Sequence, residues 1–230
     1  MRVQIFHPSV APFVQQAALA FQEGSLLDHY YTAVAYQPES VWQQTLFRCG
    51  RLAGFPFEEA FQKRDLESAL KPFVKTRPLP ELLRLFTSRV NQSGVWTDLI
   101  WEWGEKGFDQ WVAAQLSKKS SLVYGYEHAC LSTFQRAKTQ GIRTIYDVPA
   151  PETTRVRSLM EEAMKEFPDL QSDWFEATSR KEPRRLQRRK KEWQLADRVI
   201  CASEFTKKTF ADAGYVWVLY VKSLQTSQIV

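Results

Sequence analysis

The stretch that most constrains the fold is Glu192–Gly214, EWQLADRVICASEFTKKTFADAG. Asp197 leaves a helix, and Val199, Ile200, Cys201 and Ala202 form a short apolar run with the character of a buried strand. Ser203 is placed to cap the next helix, and Glu204 puts a negative charge in its first turn. Phe205, Thr209, Phe210 and Ala213 predict that helix's inner face, and Gly214 suits the position just past its end. A strand that feeds a helix in this way belongs to an open α/β sheet.

The same rhythm opens the chain. Residues 2–6, RVQIF, read as a strand and HPS at 7–9 as a turn. Val10, Phe13, Val14, Ala17, Ala18 and Phe21 then recur at helical spacing until Gly24. Tyr30–Tyr36, YYTAVAY, predicts a second strand. A β-α-β unit of this kind closes right-handed and requires parallel strands. Residues 40–116 read as helices without an intervening strand, on faces made by Trp42, Leu46, Cys49 and Ala53, by Leu66, Ala69, Leu70, Phe73 and Val74, by Leu79, Leu82, Leu83, Phe86 and Val90, and by Leu99, Ile100, Trp103, Trp111 and Val112. Strands return at 121–125 and 142–148, each followed by a helical pattern (127–140 with Cys130, Phe134 and Ala137 inward; then Val156, Leu159, Met160, Ala163 and Phe167). A polar loop is expected at 168–182, and Tyr215–Val221 has strand character. The expected fold is therefore a Rossmann-like α/β parallel sheet flanked by helices. One domain would cover 1–214 with a helical insertion at about 40–116, and 215–230 would be a short divergent tail.

At 230 residues, 44% hydrophobic and 25% charged, the composition is that of an ordinary globular protein. No apolar run is long enough for a spanning helix, and the N-terminus lacks the apolar core of a signal peptide. Cys49, Cys130 and Cys201 are odd in number and lie far from any zinc-ligand spacing, so free thiols in a reducing cytoplasm and no metal are expected. The net charge of +5 is concentrated in PRRLQRRKKEW, where Arg184, Arg185, Arg188, Arg189, Lys190 and Lys191 share one expected helix with an apolar stripe of Leu186, Trp193 and Ala196. These six are candidates for contact with an anionic surface, a membrane rather than nucleic acid.

In an open parallel sheet, ligands bind beyond the carboxyl ends of the strands. That rule selects His7 and Ser9 after the first strand, Glu127 and His128 after the strand at 121–125, Asp147 before Pro149, and Ser203. Each also has a structural role to fill: a turn for His7 and Asp147, a helix start for Glu127, a cap for Ser203. Together they offer an imidazole, hydroxyls and carboxylates, a mixture suited to a polyhydroxylated ligand. There is no GxSxG elbow, HExxH, Walker loop or GxGxxG after the first strand, which disfavours a hydrolase, a zinc protease, a P-loop enzyme and a dinucleotide oxidoreductase.

VYGYEHACLSTFQRAKTQGIRTIYDVPAPE and LADRVICASEFTKKTFADAG resemble successive segments of the GT-B glycosyltransferases, in particular family four, and FHPSVAPFVQQAALAFQEGSLLDHYYTAV is similar to that family's first β-α-β. The resemblance covers roughly residues 1–36 and 121–214. It implies the N-terminal, acceptor-side half of a retaining, sugar-nucleotide-dependent enzyme. A sugar or other hydroxyl compound would be the acceptor. The sugar nucleotide would be held by a second domain, supplied by a separate chain or reached through homo-oligomers, so this half is expected to bind no cofactor. Past Gly214 the family's V-I-P-x-G-V-D turn and E-x7-E pair are missing from YVWVLYVKSLQTSQIV, which implies a truncated or split enzyme, inactive alone. The glycine-rich first loop of many members is also absent. Carry-over is confined to His7, Glu127, Asp147 and Ser203 as cleft-facing residues. The alternative is a non-enzymatic module that docks on a partner protein or anionic surface through the basic helix 183–197. A cytoplasmic location, or one peripheral to the inner face of the membrane, fits both readings.

Overall fold

Val3–Phe6 (β1) is buried at all four residues, the polar Gln4 included, as in a strand covered on both faces. In the computed structural model, which describes residues 1–90, 95–170, 182–215 and 218–220, it belongs to a seven-stranded sheet of order β3-β2-β1-β4-β5-β6-β7. The remaining strands are β2 (Leu27–Thr32), β3 (Val74–Thr76), β4 (Leu122–Tyr126), β5 (Arg143–Val148), β6 (Arg198–Cys201) and β7 (Val218–Tyr220). Every pair with a defined register is parallel, as in Ile5 opposite Tyr30 and Val148 opposite Cys201. The α/β parallel architecture expected from the sequence is thus present. The chain divides into two compact units, Met1–Val123 and Tyr124–Val230.

In the first unit, α1 (Pro12–Glu23) starts with proline in its first turn and ends at Gly24. α2 (Val41–Leu52), α3 (Phe57–Gln62), α4 (Leu79–Val90) and α5 (Val95–Gln115) follow. The strand-free reading of 40–116 is corrected by β3. A 3-10 turn over Ser68–Phe73 with Pro72 inside it delivers Val74–Thr76 alongside β2, where Tyr30 opposes Val74. Three residues are too few for a periodic signal, and pairing with β2 decides them. β2 itself lies earlier than Tyr30–Tyr36. Leu27 opposes Val3, and the backbone from Ala33 onward turns to other partners.

The buried face of α2 also differs from expectation. Gln43, Phe47 and Gly50 are inside, whereas Trp42 and Cys49 are exposed. Gln43 is drawn in because it satisfies two backbone groups of the 35–37 segment: its amide donates to Ala35 O at 2.8 Å and its carbonyl accepts from Gln37 N at 2.9 Å. Gly50 is required by close approach, since a Cβ there would lie 2.6 Å from the Phe57 ring and 2.7 Å from Phe55 O. Phe47, Phe61 and Val34 form a small core against which Leu82 and Leu85 pack, while Leu79, Leu83 and Phe86 stay exposed. On α5, Phe108 and Val112 are buried and Leu99 and Trp103 are exposed, so its inner face is shifted toward its C-terminal half.

The second unit has α6 (Leu131–Thr139), α7 (Thr153–Glu166), α8 (Glu182–Leu195) and α9 (Glu204–Asp212). α6 begins four residues later than the expected helix at Glu127, and residues 127–130 form a turn with His128 at φ 81°. Phe134 and Ala137 are buried as expected. On α7 none of the apolar residues is buried. Ser203 caps α9 as predicted, its Oγ accepting from Thr206 N at 3.0 Å. Gly214 follows with φ 91°. The buried face of α9 is Thr206, Thr209 and Phe210, and Phe205 points outward. Trp193 packs edge-on against Phe210 and Tyr215, at 5.0 and 5.2 Å between ring centres. Asp197 ties α8 to β5: its carboxylate accepts from Thr144 N at 2.8 Å and its own N–H donates to Thr144 O at 3.0 Å. Of the sequence expectations, most of the 168–182 loop, most of the 215–230 tail and the side chain of Val90 lie outside the described residues.

Candidate functional site

In the first unit, the chain leaving β1 turns at His7-Pro8-Ser9. His7 N donates to Tyr31 O at 3.0 Å, and Pro8 O accepts from Ala33 N at 3.0 Å. The imidazole Nδ1 lies 3.0 Å from both Ser9 N and Ser9 Oγ and 2.7 Å from Ser9 O. Burial lowers the His7 pKa, with the Ser9 backbone contact acting in the opposite sense. The ring is therefore held neutral and clamped through Nδ1 by the residue two positions on, with Phe13 against it edge-on. The His7–Ser9 pairing serves the turn directly.

The second unit gathers the other candidates. β4 carries Tyr124 and Tyr126 toward its carboxyl end, and β5 carries Tyr146 and Asp147. Tyr124 OH donates to Asp147 Oδ2 at 2.6 Å. Burial raises the Asp147 pKa from 3.8 to about 6 although the Tyr124 hydrogen bond opposes the rise. Burial and the facing carboxylate push the Tyr124 phenol up, so it stays a donor throughout the neutral range. Cys201, at the end of β6, is pushed up to about 12 by burial and by Asp147, which leaves it a thiol rather than a nucleophilic thiolate.

Beyond β4, the turn holding Glu127 and His128 is bound by Arg189. Its Nε donates to His128 Nδ1 at 3.1 Å and lies 3.4 Å from Glu127 Oε1. Its Nη1 donates to Thr153 Oγ1 at 2.8 Å and to Glu182 Oε1 at 2.9 Å. One guanidinium thus joins the β4 turn to the starts of α7 and α8. Burial raises the Glu127 pKa, Arg189 lowers it, and the charges of Glu182 and Glu152 add to the rise. Glu152 caps α7, accepting from Arg155 N at 3.1 Å, and its own N–H donates to Thr209 Oγ1 at 3.0 Å.

A second buried carboxylate supports this turn from below. Glu192 is wholly buried. It accepts from Tyr146 OH at 3.1 Å and Cys130 N at 3.3 Å, and it pairs with Arg188 Nε at 3.2 Å. The basic run of α8 is therefore divided. Arg184, Lys190 and Lys191 are exposed, Arg185 is partly covered, and Arg188 and Arg189 turn inward onto carboxylates. Hydropathy cannot separate these two groups, because both are strongly basic. For Arg188 the separating signal is the position of Glu192 four residues later. Tyr124, Thr153, Glu152, Glu182 and Glu192 were not legible as site residues, since each looks like ordinary strand or helix-end content.

Glu127, His128, Asp147 and Ser203 thus share the second unit at the carboxyl ends of β4, β5 and β6, while His7 and Ser9 belong to the first. Among the described residues no group of three or more His, Cys, Asp or Glu side chains is arranged to hold a metal, and no helix is long and apolar enough to cross a membrane.

No protein-family profile and no curated protein matches this chain. Solved structures similar to it include a complex between a UDP-glucosyltransferase from Polygonum tinctorium, described as capable of glucosylating indoxyl, and 3,4-dichloroaniline. The match has 15% identity and a TM-score of 0.35, and it covers 88% of this chain. The chain spans 46% of that enzyme's length.

Proposed function

We propose that this chain is the acceptor-side half of a retaining, sugar-nucleotide-dependent glycosyltransferase. The observation that carries the reading is the order of strand-end groups in the second unit: Glu127 and His128 after β4, Asp147 at the end of β5 and Ser203 after β6. They stand in the order of the GT-B-like segments of the sequence, where a parallel sheet presents ligands to its strand ends. The carboxylates, imidazole and hydroxyl at these ends suit hydrogen bonding to a sugar or another hydroxyl compound. In this reading the donor nucleotide is held by a separate domain, and residues 1–230 by themselves transfer no sugar. Saturation-transfer NMR on the 230-residue chain should detect methyl glucoside or phenol in contact with the protein, and UDP-glucose should remain intact on prolonged incubation with either hydroxyl compound. Turnover of UDP-glucose would refute the claim of inactivity, and no contact with either hydroxyl compound would refute the acceptor reading.

The exposed Arg184, Lys190 and Lys191 favour a second reading, in which α8 docks the protein on an anionic surface. Binding to phosphatidylglycerol vesicles should then weaken steeply with salt and disappear when these three residues become glutamine. Binding unchanged by that replacement would count against it.

A further inference from the structure

Asp147 is a strand-end candidate whose hydrogen-bonding capacity is half used. Oδ2 is taken by Tyr124 OH at 2.6 Å. Oδ1 accepts no hydrogen bond from any described residue, yet it is not among the buried polar atoms left without a partner, so solvent reaches it. Glu127, by contrast, is tied to Arg189, and Ser203 Oγ is used by Thr206. We infer that Asp147 and Tyr124 form a hydroxyl-binding pair, in which Asp147 Oδ1 accepts the O–H of a carbohydrate or phenolic ligand while Tyr124 fixes the carboxylate plane through Oδ2. This deepens the acceptor reading above and rests on it.

The pairing is suited to the task. A carboxylate held at one oxygen by a rigid phenol is oriented before the ligand arrives, which lowers the ordering cost of binding. The phenol sits on β4 and the carboxylate on β5, neighbours in the sheet, so backbone hydrogen bonding sets their spacing. The titratable groups that face Asp147 are Tyr124 from β4 and Cys201 from β6. Lys207 and Glu204 on α9 act on Cys201 in opposite senses. Neither phenol nor thiol ionises below pH 8, so a transition near pH 6 belongs to the Asp147 carboxyl.

Linkage gives a test that reads this carboxyl alone. A hydroxyl that donates to Oδ1 favours the ionised form, so bound ligand must move the Asp147 midpoint down. The side-chain carboxyl carbon of Asp147, assigned through Asp147→Asn, is titrated by carbon-13 NMR in the full chain with and without methyl glucoside, and again with phenol. The expected result is a midpoint near pH 6 that falls with at least one probe. Tyr124→Phe removes the opposing hydrogen bond and should raise the free midpoint by about one pH unit. An amide fingerprint spectrum confirms that each variant is folded. A midpoint unmoved by both probes overturns the inference. If other resonances shift while the Asp147 midpoint stays, the acceptor reading survives and only this pair is excluded. A Tyr124→Phe midpoint equal to wild type also overturns it, because Tyr124 would then not hold the carboxylate.

Discussion

At the end of β1 the first unit uses its polar groups on its own backbone, whereas at the ends of β4 and β5 the second buries charge against charge. At the end of β1, His7 is neutral and closed onto Ser9, and the nearby core is aromatic: Tyr31 meets Trp111 edge-on and Phe47 meets Phe61. At the ends of β4 and β5, Arg189, Glu127, Glu182 and His128 interlock, and Glu192 is sealed beneath them with Arg188. An aromatic core loses stability in proportion to the volume removed. A buried ionic core loses it when one partner is deleted and the other charge is stranded. The charged region is thus the costlier one to maintain and the better equipped to meet a polar ligand.

The largest expected effects test this contrast directly. Glu192→Ala should destabilise the protein by about 4 kcal/mol, since it strands Arg188 and leaves Tyr146 OH and Cys130 N without their acceptor. Phe61→Ala should cost about the same through a cavity. The conservative changes then separate the two regions. Phe61→Leu should cost about 1 kcal/mol, whereas Glu192→Gln should still cost about 3 kcal/mol because the charge is gone. Urea unfolding measures all four, and equal losses for the two conservative variants would break the comparison.

A smaller effect carries the opposite sign. Asp147 has its folded pKa raised from 3.8 to about 6. Its contribution to stability is full below about pH 4 and is lost as the pH rises through about 6, because the folded state holds the proton more tightly than the unfolded chain does. Asp147→Asn should therefore be neutral near pH 4 and stabilising by about 2 kcal/mol at pH 8. Thermal melts at the two pH values would show it, and a variant equally destabilised at both would mean that the carboxylate is structurally needed. The smallest change is Ser203→Ala, which removes the α9 cap and should cost about 1 kcal/mol in urea unfolding. A cost near 4 kcal/mol would place Ser203 with the ionic network instead of the helix end.

How far the sequence could be read depended on which interactions were local. The strand at 198–201, the Ser203 cap and the Gly214 stop were all legible because periodicity, capping and left-handed backbone preference act over a few residues. β3 was hidden, since a three-residue strand has no period and exists only by pairing with β2. The face of α2 was misassigned because Gln43 is turned inward by the orphan backbone groups of residues 35–37, a contact that hydropathy scores as unfavourable. The expected helix start at Glu127 failed for a similar reason: His128 adopts a positive φ in a turn bound by Arg189 from 61 residues away.

The candidate site divided along the same line. Glu127, His128, Asp147 and Ser203 could be named because strand ends are recognisable from local pattern and the strand-end rule then applies. The sequence by itself determined the α/β alternation, the residues at the strand ends and the concentration of positive charge in one helix. Only the tertiary structure decided that Tyr124 holds Asp147, that Glu192 lies buried beneath the β4 turn, and that two arginines of the basic helix face inward while Arg184, Lys190 and Lys191 face out. The physical reason is range: propensity, capping and periodicity act within a turn or two of chain, whereas the ionisation of a carboxylate and the direction of an arginine are set by burial and by charges that arrive from distant segments.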